Sequence, residues 1–577
     1  MKKQKIKSIT TISILAVALA GCNGLSKMVK DANKVTYSVT PNPMQDNGDS
    51  VAINISVKYP AKYFNKKAVV TVTPTLKLSN GTEQPLRSVT LVGEKASGTG
   101  TKINYDQGGS LNYNEKVAYQ PEMKTDELDI KATLENNKKD FPAMKIADGT
   151  ITTAKLLQRD DKVILAKDEF KKTIPEPDTT HIFYSISQSN LRASEMSSKE
   201  MKQFMEFVKM AVNDGYTFDN ISLSAYASPD GETQFNSNLA NERAMTANKA
   251  MRALFKKMDT KKCNTKFGTE SAFYAMGVTG MDWEGFRTRV QESKIKDKDL
   301  ILRVLSMYTD HDQRMKEIKN MSKTYVELAD DVLPKLRRAV IVLNAEKKSP
   351  TDDQLKSLVS SNPQSLTVEE LLYAATLTTD LSQKLSIYRT AATQYPNDWR
   401  CSNDIGYVEV MQNNLTDARA QFQKANQLSP NNPVVQNNLG VVSHLSGNTN
   451  AAIKYYKSAT AAGPDVSYNI GLIDIQTGDY ADATSNIGSA KTFNAALAKL
   501  LNNDAAGAKS TLDASNDNSA IAYYLRAVIA ARANNKTDAI NNLKTALNKD
   551  ASLKDKMKTD CEFIKLKDDA GFKSVIS

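Results

Sequence analysis

At 577 residues the chain exceeds what a single hydrophobic core can organise, so two to four domains are expected. A composition of 40% hydrophobic and 24% charged residues excludes wholesale disorder. Formal net charge is +11, and setting aside Lys2, Lys3, Lys5 and Lys7 of an N-terminal leader leaves +7, too mild to demand a nucleic-acid partner; three His and four Cys leave little room for a metal cage, a dense disulfide framework or a hydrolase triad.

The leader, residues 1–21, joins a basic start to the apolar run 9–20, which is too short to span a bilayer and reads as the core of a signal peptide. It ends in Leu19, Ala20, Gly21 and Cys22. Small residues before a single Cys directly after an apolar run resemble the lipobox of bacterial lipoproteins. That resemblance implies cleavage before Cys22 and acylation of its thiol and amine, with several acyl chains giving stable anchoring. Ordinary secretory cleavage beside an incidental Cys is the alternative. Asn23 stands where an inner-membrane retention signal has Asp, and residues 24–28 lack the acidic run that exports some Bacteroidota lipoproteins to the cell surface. The expected address is the outer membrane, facing the periplasm. Cys263, Cys401 and Cys561 form no CxxC, and their pairing stays open.

From 34 to 155 apolar and polar residues alternate with period two. Val51, Ile53, Ile55 and Val57 alternate with Ala52, Asn54, Ser56 and Lys58; Val70, Val72, Leu76 and Leu78 keep the phase up to the hairpin pair Asn80-Gly81. Val89, Leu91, Leu128, Ile130, Ala132 and Leu134 continue it. An immunoglobulin-like all-β sandwich is expected, serving as a spacer or interaction module.

After a charged connector with Pro175 and Pro177, residues 178–346 alternate strand and helix. Residues 182–186 read as a strand. Ser197-Ser198-Lys199-Glu200 reads as a capping box opening a helix with Met201, Phe204, Met205, Val208 and Val212 on one face. Ile221, Leu223 and Ala225 form the next strand, and Leu239, Ala244, Ala247, Met251 and Leu254 line a second helix. The run Ala225-Tyr226-Ala227-Ser228-Pro229-Asp230-Gly231, then Asn236, Leu239, Arg243 and Ala244, resembles the OmpA C-terminal family, as does the closing strand 336–342 with Arg337 and Arg338. The resemblance implies an α/β domain that holds the diaminopimelate of peptidoglycan, an Asp taking its ammonium and an Arg its carboxylate. Arg243 matches that Arg; the Asp position carries Ser228, with Asp230 two residues on. Ser228, Asp230 and Arg243 are the candidate peptidoglycan-binding residues. An insertion at 263–333 contains Asp282-Trp283, resembling insertions in OmpA-like proteins of the Bacteroidota, with Trp283 expected as a core anchor. Asp310-His311-Asp312 is read as a helix cap and no metal site is expected.

From 350 to 577 the chain repeats itself. Ile405, Gly406, Ala418, Phe422, Ala425 and Pro430 recur as Leu439, Gly440, Ala452, Tyr456, Ala459 and Pro464, with Gly406 to Gly440 spanning 34 residues. Ile470, Gly471, Ala483 and Ala490 mark a third copy; Ala527, Ala539, Leu543 and Ala546 mark a fourth. These residues occupy positions 7, 8, 20, 24, 27 and 32 of the tetratricopeptide repeat, which the segment resembles. The resemblance implies an all-α solenoid that binds protein partners on its concave surface. Asn403, Asn437, Asn438 and Asn469 lie on the first helices and are the candidate partner-binding residues.

The expectation is therefore a non-enzymatic scaffold with no cofactor: lipid anchor, β-sandwich at 34–155, OmpA-like domain at 178–346, repeat array at 350–577. The alternative is a tether from outer membrane to cell wall through the OmpA-like domain.

Overall fold

The computed structural model describes residues 24–136, 138–256 and 271–577. Cys22, Cys263 and the opening of the 263–333 insertion lie outside the described residues. The chain forms two compact units, one made of residues up to Lys167 with Asp380–Ser577, the other of Asp168–Thr379.

The first unit begins with two sheets around one core. In the smaller sheet, strand Ser50–Tyr59 lies between Thr36–Val39 and Gly109–Ala118, antiparallel to both. In the larger, Val69–Lys77 runs antiparallel between Glu127–Leu134 and Val89–Gly93. Period-two patterning decides which side is buried: Val51, Ile53, Ile55 and Val57 meet Val70, Val72, Leu76, Leu128 and Ile130 in that core. The Asn80-Gly81 turn forms as its sequence suggests, with Gly81 at φ +82° and its amide donating to the Leu78 carbonyl. The β region closes where Thr150–Ile151 pairs in parallel with Met44–Gln45.

The same unit ends in a helical array whose pairs follow the repeat: Trp399–Met411 with Leu415–Leu428, Pro433–Leu445 with Thr449–Ser458, and Pro464–Thr477 with Tyr480–Ile487. Each glycine at repeat position 8 faces the bulky residue at position 24. A Cβ on Gly406 would stand 2.6 Å from the Phe422 ring, and one on Gly440 2.5 Å from the Tyr456 ring. At Gly471 the obstructing side chain is Ile487. A further pair, Phe493–Leu501 with Ala505–Ala514, precedes the one built on Ala527 and Ala539, so the copy marked by those alanines is fifth in order, not fourth. Helix Ala520–Arg532 with Lys536–Lys549 completes the pairs, and Phe563 and Phe572 cover the end of their core.

The second unit holds a five-stranded sheet. Arg338–Lys348 lies at its middle, antiparallel to Thr217–Ala227 on one side and to Asp178–Phe183 and Thr173–Pro175 on the other; Tyr274–Met281 adds in parallel at the far edge. The sheet thus starts at Thr173, and the strand expected at 182–186 ends at Phe183. Helices Lys199–Asn213 and Thr233–Phe255 supply Phe204, Val208, Ala244, Ala247 and Met251 to its core. The first helix is capped by Ser198, whose Oγ accepts the Met201 amide at 3.1 Å. Glu200 does not close a capping box; it meets His181 Nδ1 at 2.5 Å. The insertion helices, from Trp283–Glu292 to Leu333–Leu336, have their own core around Phe286, Ile301, Ile318 and Leu328, with Trp283 packed against it. Helices Asp352–Ser361 and Val368–Thr376, expected with the repeats from residue 350, belong to this unit, each opened by a capping box. No helix among the described residues is long and apolar enough to cross a membrane.

Candidate functional site

The four asparagines singled out on the repeat helices are fully buried, and what buries them is the chain itself. Residues 158–166, following the β region, run without helix or strand structure along the first helices of the array. Asn438 Oδ1 accepts the Ile164 amide at 2.8 Å and its Nδ2 donates to the Ile164 carbonyl at 2.7 Å. Asn469 does the same for Lys162, at 2.6 and 2.9 Å, and Asn494 for Gln158, at 2.9 and 2.7 Å. Asp404 accepts the Ala166 amide at 2.8 Å. Asn403 and Asn437 add donors to the carbonyls of Ile164 and Lys162. Each bidentate carboxamide pairs one backbone residue as a neighbouring β-strand would.

The ladder is continuous with itself. Asn438 Nδ2 donates to Asn403 Oδ1 at 2.9 Å, and Asn469 Nδ2 to Asn437 Oδ1 at 3.0 Å. Side chains of one repeat thereby orient those of the next, and few buried polar groups along the strap are left without a partner.

Between the ladder contacts the strap's side chains enter specific places. Asp161, its side chain completely buried, accepts from Tyr456 Oη at 3.0 Å and lies 2.6 Å from His444 Nδ1, while His444 Nε2 faces Gln476 at 3.1 Å. Burial alone would lower the His444 pKa, but the Asp161 carboxylate outweighs it and the net shift is upward. Asp160 accepts from Tyr468 Oη at 2.8 Å and from Asn494 Nδ2 at 2.7 Å; Lys162 covers it, with Nζ 2.9 Å from the carboxylate and 4.6 Å from the Tyr468 ring centre. Val163 packs against the cores of the first and second repeats, and Ile164 against the second. Desolvation raises the Asp404 carboxyl to about 7, the Ala166 amide only partly offsetting it.

The turn in the α/β unit places its residues differently. Arg243 is fully buried and donates to three carbonyls: Nε to Gln188 at 3.0 Å, Nη1 to Tyr226 at 2.9 Å, Nη2 to Ser185 at 3.1 Å. Burial pulls its pKa down to about 10. Ser228 Oγ accepts from Arg337 Nε at 3.1 Å, and Asp230 stands 3.8 Å from Arg337 Nη2. The insertion closes over the turn, His311 Nε2 lying 3.1 Å from the Gly231 carbonyl and Lys319 Nζ donating to that of Asp230. Asp282 caps the helix opened by Trp283 and takes Arg338 Nη2 at 2.7 Å. Asp310 caps the next but one. No group of three metal-ligating side chains occurs among the described residues. Cys401 and Cys561 are buried free thiols, raised by burial to about 12 and about 11.

Sequence reasoning missed Asp404, Asn494 and the strap. The first two were findable, because Asp404, Asn438, Asn469 and Asn494 all hold the sixth position of their repeats.

Residues 385–433 match the tetratricopeptide repeat family, and with the period and the helix pairs this makes the C-terminal region a tetratricopeptide array. No curated protein matches the chain. Among solved structures, a tetratricopeptide repeat protein from Parabacteroides merdae is 12% identical, over 45% of this chain and 96% of that one, with a TM-score of 0.27. The Cut9–Hcn1 hetero-tetramer of the APC/C is 13% identical, over 50% of this chain and 52% of that one, with a TM-score of 0.31. YrrB, a tetratricopeptide protein with an unusual peptide-binding site, is 17% identical, over 35% and 94%, with a TM-score of 0.21.

Proposed function

We propose that the chain is an outer-membrane-anchored, periplasm-facing lipoprotein that acts as a protein-interaction scaffold in an envelope complex. The scaffold half of this reading follows from the tetratricopeptide array. The single observation that carries it is the asparagine ladder, since a row of buried carboxamides that holds an extended backbone is a binding device and not a feature the solenoid core requires. The anchoring half rests on Leu19-Ala20-Gly21-Cys22.

The peptidoglycan-tether alternative requires an OmpA-like cleft with a free guanidinium and a carboxylate opposite. The commitment of Arg243 to three carbonyls, and of Ser228 to Arg337, favours the scaffold. The test is crosslinking in cells from the outward face of the array, read by mass spectrometry, together with membrane fractionation of Cys22→Ala. A recurrent protein partner and loss of membrane association are expected. Crosslinks to no protein would overturn the scaffold, and unchanged fractionation would overturn the anchor.

A further inference from the structure

We infer that the groove of the array is a receptor for an extended segment in which two adjacent carboxylates precede, after one intervening residue, two aliphatic residues, and that strap 158–166 is a built-in occupant which a partner segment must displace. The inference rests on reading the array as a protein scaffold and names the chemistry of its partner.

Three features define what the groove accepts. The ladder reads backbone, not side chains: Asn438, Asn469 and Asn494 each grip the amide and carbonyl of one residue, so any extended segment satisfies them. Selectivity comes from the pockets between. His444 and Tyr456 converge on one carboxylate, that of Asp161; Tyr468 and Asn494 converge on the carboxylate one residue earlier, Asp160. The next pocket, at Val163 and Ile164, is apolar and shared between adjacent repeat cores. The occupant thus reads Asp160-Asp161-Lys162-Val163-Ile164. The groove holds Lys162 by its backbone through Asn469, while its side chain lies partly exposed over Tyr468 and pairs with Asp160 of the occupant itself.

The strap sits in the groove under an advantage no free peptide has. Its covalent link to the β region gives it an effective concentration on the order of 1 mM. A free segment making the same contacts with an intrinsic Kd of about 10 μM is therefore held off by about 100-fold. The groove is closed to chance ligands and opens to a segment that adds contacts of its own or meets the chain when the strap is loosened.

The test uses the full chain and a fluorescein-labelled peptide spanning residues 156–168, read by anisotropy. Asp161→Ala with Val163→Ser loosens the strap and leaves the groove intact. That variant is expected to bind the peptide about 100-fold more tightly than wild type, and to lose binding when Asn438→Ala and Asn469→Ala are added. A loosened chain that keeps its helical circular dichroism yet does not bind the peptide overturns the inference, leaving the strap as a splint. Should the loosened chain fail to fold, hydrogen exchange on wild type decides. Amides of Lys162, Ile164 and Ala166 exchanging faster than those of helix Pro433–Leu445 support a displaceable strap, and equal protection overturns it. Peptide binding with no protein captured in cells would sink the scaffold reading and leave the groove chemistry standing; the reverse would do the opposite.

Discussion

Asn438 holds Ile164 by both of its backbone polar groups, at 2.8 Å to the amide and 2.7 Å to the carbonyl, across 274 residues of sequence. Neither residue is exceptional alone. Without the strap the carboxamide would keep only its bonds to the neighbouring asparagines, and without the carboxamide the Ile164 amide would lose its acceptor.

Asn438→Ala is therefore expected to lower unfolding free energy by about 1–3 kcal/mol, the scale of leaving a buried donor and acceptor unpaired. Asn403→Ala, which removes one donor from the same Ile164 carbonyl, should cost less, because Asn438 still reaches that oxygen. Urea denaturation of the full chain measures both, and an Asn403→Ala cost equal to or above that of Asn438→Ala contradicts the ranking.

The array's close helix crossings give a second expectation. Gly440→Ala puts a methyl 2.5 Å from the Tyr456 ring, which Asp161 holds in place, so the cost falls in the overpacking range of about 1–3 kcal/mol. Gly447 has nothing within 4 Å but adopts φ +84°, so Gly447→Asn, a residue tolerant of that conformation, should be nearly neutral. Thermal melts of the two variants side by side distinguish crowding from backbone strain.

Strap docking should weaken with rising pH. The His444 pKa is raised in the folded chain, so its contribution is complete below its ordinary value near 6.5 and is lost as pH rises through the higher folded value. Asp404, raised to about 7, acts in the same direction: the folded state holds its proton more tightly, a stabilisation that fades between the ordinary carboxyl range and about 7. Arg159 beside His444 opposes the shift without reversing it. Exchange of the Lys162 and Ile164 amides, corrected for intrinsic rate, is expected to be slower at pH 5.5 than at pH 8. His444→Gln should flatten that difference; an undiminished slope would assign it elsewhere.

How much of this was legible in the sequence depends on how far each cause reaches along the chain. Val51 to Val57 declare a half-buried strand within seven residues, and Gly406 with Gly440 declare the repeat, because both patterns are local or periodic. The pair at 493–514 escaped because Ala496 replaces the position-8 glycine and Asn469 to Asn494 spans only 25 residues where 34 is the norm. The strap left no local signal. Its conformation is dictated by Asp404, Asn438, Asn469 and Asn494, hundreds of residues away, and its own sequence reads only as a charged connector. The motif around Arg243 singles the residue out, yet it does not reveal whether the guanidinium faces ligand or, as in the folded chain, backbone carbonyls.

Ser228 supplies the sharpest expectation, because sequence and geometry pull it in opposite directions. If the resemblance to the OmpA pattern extended to ligand binding, Ser228→Asp would supply the carboxylate that pattern has there and strengthen muropeptide binding. In the folded chain the Ser228 Oγ already accepts from Arg337 Nε at 3.1 Å and is almost fully buried, so a carboxylate placed there would pair with Arg337. The gain of a charge-assisted bond, about 1.5–3 kcal/mol, is offset by the cost of desolvating a new charge, and the net change in stability should stay within about 1 kcal/mol. Arg243→Ala, in contrast, removes a fully buried guanidinium and strips three carbonyls of their donors, and should cost about 3–5 kcal/mol. Isothermal titration of the full chain with a diaminopimelate-containing peptide completes the comparison. Wild type and Ser228→Asp are expected to give the same weak or absent heat. A tenfold gain in the variant, about 1.4 kcal/mol, would mean that Arg243 leaves its carbonyls to meet ligand and that the turn is a peptidoglycan site after all.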